Sequence, residues 1–186
     1  MKYIFEIIWI FWLLSEIFLN RLLRSKNKNA KVLDKNSLNL IWFAIILSMT
    51  SGVLIAVYWA APIIITNVMV YFGSALIVIG MLIRFIAIRT LGKFFTVNLA
   101  IQGDQNLIKT GLYKYIRHPS YSGSLLSFVG FGLSLNNWLS LTIIIVPILI
   151  TFINRINIEE KLLLEQFGSG YEDYKKRTRQ LIPWIY

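Results

Sequence analysis

The sequence contains no cysteine and a single histidine, His118, among 186 residues. Without cysteine the chain forms no disulfide, thiolate zinc site or Cys nucleophile, and one histidine excludes a multi-histidine metal centre. Charge is also scarce: 15% of residues are Asp, Glu, Lys or Arg and 56% are hydrophobic, whereas soluble domains carry about 25% charged residues. Negative charge is scarcest, with 9 Asp and Glu against 19 Lys and Arg, a net charge of +10. Nucleic-acid binders gather such cations on a soluble face, but here they lie between long apolar runs, which argues against nucleic acid as a partner. A G-x-G-x-x-G fingerprint is missing too. Gly130-Phe131-Gly132 and Gly168-Ser169-Gly170 lack the preceding strand and the third glycine, so a dinucleotide site of the Rossmann type is excluded. Neither an internal repeat nor a low-complexity stretch is present.

What the sequence does have is apolar runs of membrane length. A bilayer core of about 30 Å calls for roughly 20 apolar residues in a helix. Five runs approach that length, at about 3–19, 38–60, 68–88, 122–135 and 138–154. The expected fold is therefore all-α, a polytopic membrane bundle of about five transmembrane helices in a single domain over 1–186. The cations between the runs number 6, 0, 5, 0 and 6 from the first connection to the tail. Because Lys and Arg accumulate on the cytoplasmic side, this alternation predicts an amino terminus outside and a carboxyl terminus in the cytoplasm. The first run follows Lys2 but holds Glu6 and Glu16 and no small-residue cleavage site, so it reads as a retained helix rather than a secretory signal. Its two glutamates stand about 80° apart around a helix. They could wall a polar cavity, but the expectation is that both reach the headgroups, as Arg84 does by snorkelling.

Polar groups concentrate in two cytoplasmic segments, 89–121 and 155–186. In the first, Pro119 drives His118 out of helical geometry, so Arg117-His118-Pro119 is expected to run extended into the fourth span, with Ser120, Tyr121 and Ser122 capping it. A helix start of this kind beside basic side chains suits a carboxylate or phosphate. A lone loop histidine is more often a hydrogen-bonding group than a catalyst. In the second segment, Arg155, Glu159 and Glu160 sit on a helix continuing beyond the fifth span, and an Arg155 to Glu159 ion pair is the plain reading. Lys175, Lys176, Arg177 and Arg179 can attract anionic headgroups.

Taken together, Gly111-Leu112-Tyr113, Arg117-His118-Pro119-Ser120-Tyr121-Ser122-Gly123, Arg155 with Glu159-Glu160, Phe167-Gly168 and Tyr171 through Arg177 followed by Pro183 resemble the isoprenylcysteine carboxyl methyltransferase family, in its short prokaryotic form. The likeness runs from Leu91 to Tyr186, in order and with similar spacing. It implies an integral membrane enzyme of a prokaryotic inner membrane that moves a methyl group from S-adenosyl-L-methionine to a carboxylate of a lipophilic or prenylated acceptor. Position by position, it places Gln102, Gln105, Asn106, Leu107, Ile108, Tyr113, His118, Pro119, Ser120, Tyr121 and Glu159, or its neighbour Glu160, at the cofactor, Arg155 at the substrate, and Arg155 with Glu160 in catalysis. The site is expected between the fourth and fifth spans, capped by the tail. A phospholipid amine or a small thiol remains open as acceptor, and a sterol-type NADPH-dependent reductase as another activity. Membrane lipids are the expected surroundings; the oligomeric state is not readable.

Overall fold

A computed structural model describes residues 2–22, 31–34, 36–64, 68–95, 99–101 and 107–182. Six helices dominate: α1 (Lys2–Leu22), α2 (Asn36–Tyr58), α3 (Val68–Leu91), α4 (Pro119–Ser134), α5 (Trp138–Phe167) and α6 (Ser169–Arg177). Short 3-10 turns cover Gly92–Phe94 and Gly111–Lys114. The expected all-α fold needs one addition. Strands β1 (Lys31–Asp34) and β2 (Leu99–Ile101) pair antiparallel, Lys31 opposite Ile101 and Val32 opposite Ala100. Backbone groups outside helices must find partners, and two connections at one end of the bundle satisfy each other this way.

Among the described residues, α2, α3 and α5 are long and apolar enough to cross a membrane. Much of that surface is not buried by protein: Phe43, Ile46, Leu54 and Val57 of α2 point outward, as expected where hydrocarbon is the neighbour. At 30 residues α5 is about 45 Å long, so roughly its last third extends past a ~30 Å hydrocarbon core. Helix α4 has only 16 residues. It begins at Pro119, three positions before the expected Ser122, because proline's fixed φ and missing N–H suit the first helical turn.

α4 lies deep in the bundle against α3, and glycine makes this possible. A methyl group on Gly73 or Gly80 would strike the backbone carbonyls of Gly130 and Gly123, and methyl groups on Gly123 and Gly130 would strike those of Gly80 and Gly73. The two backbones thus touch at two levels, one small-residue pair per level. Ser127 Oγ then donates to Ile77 O at 3.1 Å across the same seam. Around it, Trp12, Ile45, Ile77, Phe128, Ile148 and Phe152 form the apolar core, with Trp12 and Phe128 edge to face at 4.9 Å.

The two ends of the bundle differ. At one, the cation-free connections meet: Trp138 N donates to Ala61 O at 3.0 Å, Asn137 Nδ2 donates to Trp59 O at 2.6 Å, and Asn137 Oδ1 caps α5 through Ser140 N. The other end carries the polar segments and a cavity.

Candidate functional site

The cavity opens at the cation-rich end and runs down between α4 and α5, with α1, α2 and α3 completing its walls. Its upper part is polar and aromatic, formed by Tyr113, His118, Tyr121, Glu159, Tyr171 and Tyr174. Its lower part is apolar, formed by Leu13, Ile41, Ile45, Phe128 and Phe152. Arg155 lines it too, and only 1% of that residue is exposed. One guanidinium nitrogen of Arg155 donates to Ser37 Oγ on α2, and a second contact reaches the Tyr121 side chain. The expected intrahelical ion pair with Glu159 is thus replaced by contacts to two other helices, which fix the guanidinium facing the cavity.

The two adjacent glutamates diverge because consecutive helical residues point about 100° apart. Glu159 lines the cavity, receiving Tyr121 Oη at 3.2 Å, with His118 Nδ1 3.9 Å away. Glu160 points to the other side. Its carboxylate takes Arg117 Nε at 2.7 Å, Lys175 Nζ at 3.0 Å and lies 3.4 Å from His118 Nε2. Burial alone would raise the Glu160 pKa, but His118, Arg117 and Lys175 together outweigh it and hold the carboxyl well below its usual range. Glu160 is therefore a charged node that ties α5 to α6 and to the start of α4.

Arg117 completes that node. Its NH1 donates to Thr178 O at 2.6 Å and Lys175 O at 3.3 Å. The chain after α6 then lies alongside residues 115–118: Arg117 N donates to Arg179 O at 2.8 Å, His118 N to Gln180 O at 3.2 Å, and Ser122 Oγ to Leu181 O at 2.5 Å. The start of α4 is consequently not the open anion-receiving terminus expected from sequence. Ser120, Tyr121 and Ser122 do not cap it either; the amides of Tyr121 and Ser122 both donate to His118 O at 3.1 Å. α6 roofs the cavity, and Tyr174 Oη donates to Tyr113 O at 2.6 Å. Burial pushes the Tyr174 phenol up to about 12 against the pull of Arg117, and burial with the Glu159 charge raises Tyr113 further, so both stay neutral.

Glu16 and Arg84 require a correction. Neither reaches a headgroup: Arg84 Nε lies 2.9 Å from Glu16 Oε1, both side chains are largely buried, and both line the cavity. Glu6 is exposed, as a lipid- or headgroup-facing residue would be. Among the residues proposed from sequence, Leu107, Ile108, Tyr113, His118, Ser120, Tyr121, Arg155 and Glu159 come together around this one cavity. Pro119 is fully buried at the helix start without lining it, Glu160 stands behind it, and Gln102, Gln105 and Asn106 lie outside the described residues. Sequence reasoning missed Ser37, Tyr171, Tyr174 and Arg84, and weighed Glu16 as a cavity wall but preferred a headgroup position. Tyr171 and Tyr174 carried a signal, standing three apart in an otherwise polar tail.

The chain is similar to known membrane methyltransferases. The profile of the phospholipid methyltransferase family matches residues 68–170, more than half of the chain. The protein-S-isoprenylcysteine O-methyltransferase of Saccharomyces cerevisiae is 38% identical over 122 residues, covering 64% of this chain and 51% of the yeast protein. The Arabidopsis thaliana protein-S-isoprenylcysteine O-methyltransferase B is 35% identical over 116 residues, covering 61% and 59%. The solved structure of a eukaryotic intramembrane Ras methyltransferase, isoprenylcysteine carboxyl methyltransferase, superimposes with a TM-score of 0.65 and 27% identity over 83% of this chain and 55% of that one. The chain thus spans about half to three fifths of the length of these relatives. The yeast and plant sequences and the shared membrane fold bear out the resemblance first seen in the Arg-His-Pro element and the double glutamate: the chain belongs to the phospholipid methyltransferase family and is similar to isoprenylcysteine carboxyl methyltransferases.

Proposed function

We propose that this chain is an S-adenosyl-L-methionine-dependent methyltransferase that methylates a carboxylate on a lipophilic acceptor at the cytoplasmic membrane boundary. The observation that carries this reading is the two-part cavity with Arg155 buried in its wall, polar and aromatic above and apolar below. Such a shape suits a polar donor from the aqueous side and an apolar acceptor from the bilayer. The alternation of cation-rich and cation-free connections supports the matching orientation, with the amino terminus outside.

The upper part fits the donor by its chemistry. Its residues offer a carboxylate in Glu159, hydroxyls in Tyr113, Tyr121 and Ser120, and an imidazole in His118. The Tyr171 hydroxyl is buried in the same wall with no hydrogen-bond partner among the described residues, so a bound polar group satisfies it. Leu107 and Ile108 add an apolar slot. Gln102, Gln105 and Asn106 extend the set on the evidence of family resemblance, and Pro119 shapes the loop. When bound, S-adenosyl-L-methionine supplies an electrophilic methyl group on a sulfonium.

No proton has to be removed, because a carboxylate acceptor is already ionised at neutral pH. The work of the protein is then to orient and to exclude water. Arg155, held by Ser37 and Tyr121, presents a fixed guanidinium for the acceptor carboxylate. Glu160 acts as a positioning residue that keeps Arg117, His118 and the tail in register. α6 roofs the donor end.

Calorimetric titration of the purified chain in lipid nanodiscs with S-adenosyl-L-methionine tests the reading. Saturable binding that NADPH does not mimic is expected; absence of binding by folded protein overturns it. A second acceptor class, a phospholipid amine, is favoured by the family profile matched over 68–170. Methyl-labelled donor offered with a prenylcysteine or with phosphatidylethanolamine separates the two by the labelled product.

A further inference from the structure

A second polar cluster lies in the cavity wall, beyond the motifs that carry the family resemblance. Glu16 on α1 is 8% exposed and 2.9 Å from Arg84 Nε on α3. The side chains of Trp12 and Ser124 also face the Glu16 carboxylate. Arg84 NH1 in turn donates to Ser120 Oγ at 3.1 Å and to Ser120 O at 3.3 Å. An unbroken chain of polar contacts therefore runs from α1 through α3 to the second residue of α4.

Charges at this depth are costly unless satisfied, and an apolar pair would hold two helices as well or better. Packing does not require this one, since the α3 and α4 backbones already meet through Gly73, Gly80, Gly123 and Gly130. What the pair adds is direction. Arg84 grips both the carbonyl and the hydroxyl of Ser120, and Ser120 sits between His118 and Tyr121, with all three facing the cavity. Glu16 removes the guanidinium's freedom to turn elsewhere.

We propose that Glu16 and Arg84 are positioning residues for the methyl donor: Glu16 aims Arg84, and Arg84 sets Ser120 and with it the donor-binding face of His118 and Tyr121. The first helix, which lies outside the matched family region, thereby becomes part of the site. This inference rests on the S-adenosyl-L-methionine reading of the cavity. Its signature is selective, a loss of donor affinity without an equal loss of acceptor affinity.

The test uses the full chain in nanodiscs, with donor affinity from calorimetry and the KM of each substrate from labelled-methyl transfer. Glu16→Gln removes the charge facing Arg84 and Arg84→Lys removes the fork that reaches Ser120, so each is expected to weaken donor binding about tenfold or more. Ser120→Ala, which removes one of two acceptors and leaves the helix charges intact, is expected to weaken it about fivefold. The acceptor KM stays within about twofold throughout, and the Glu16→Gln/Arg84→Lys double variant is no worse than about either single variant, as in a serial chain. Glu6→Gln, exposed on the same helix, changes nothing. Donor affinity unchanged in folded Glu16→Gln, or donor and acceptor affinity lost equally, overturns the inference. Should Glu16→Gln not fold, Arg84→Lys decides it by the same criteria. A wild-type chain that binds no donor defeats the parent reading and this one together; a wild type that binds no better than the variants defeats this one alone.

Discussion

The two ends of the bundle are built from different materials. The cation-free end is joined by main-chain groups and two asparagines: Asn137 reaches Trp59 O and caps α5, Asn136 exchanges two hydrogen bonds with the Ile64 backbone, and Trp138 N donates to Ala61 O. The other end is joined by charge, with Arg117, Lys175, His118 and Glu160 in one cluster and Glu16 with Arg84 in another. A turn needs only to reverse the chain, and uncharged hydrogen bonds do that at low desolvation cost. Charged groups enclosed beside a cavity must be paired, and their pairing fixes geometry more tightly than stability requires. The contrast supports placing the proposed site at the charged end without reference to any motif.

Mutations at each end sharpen the contrast. The largest effect is expected for Arg155→Ala, which removes the guanidinium from the wall of the cavity; on the proposed function, methyl transfer should fall by about 100-fold or more while the donor still binds. Retained transfer would move the acceptor clamp elsewhere. Next, Arg117→Ala leaves Glu160 partly uncompensated and frees the strand of chain over residues 115–118. A loss of about 3–5 kcal/mol is expected at that end, read by denaturation and by faster proteolysis near Thr178. The same node has a pH signature. The Glu160 pKa is depressed in the folded protein, so its contribution is complete above the ordinary Glu value, near 4.5, and declines as pH falls below it. Melting of the wild type from about pH 5 to 3 should lose up to about 1.4 kcal/mol per pH unit that Glu160→Gln does not lose.

Between the ends, Gly80→Val forces the α3 and α4 backbones apart and should cost about 1–3 kcal/mol, with donor affinity reduced only as α4 shifts. The smallest effect belongs to the cation-free end. Asn137→Ala removes a cap worth about 1 kcal/mol and should leave donor affinity untouched. A change in donor binding there would show that the two ends are coupled through α5.

The sequence made α2, α3 and α5 legible as spans because apolar length is a local property, and Pro119 misled about where α4 begins. The cavity's main residues were legible through motifs that stay together in the chain. Glu16 and Arg84 were not: 68 positions separate them, and an isolated acid in an apolar run reads the same whether it snorkels or finds a buried partner. The strap over the Arg-His-Pro element was equally hidden, since it is made by carbonyls and amides that every residue carries. Pairing of β1 with β2 escaped for a related reason, four residues being too few to show an alternation. The glycines at 73, 80, 123 and 130 were readable, with the same seven-residue spacing on both helices.

That strap has a consequence for biosynthesis. Residues 179–181 supply carbonyls to the amides of Arg117 and His118 and to the Ser122 hydroxyl, yet they are translated some sixty positions later. While the nascent chain is still threading into the bilayer, the start of α4 waits with unpaired donors and the cavity lacks its roof. The Arg-His-Pro element thus gains these partners only after the distal segment has been made and has folded back over it.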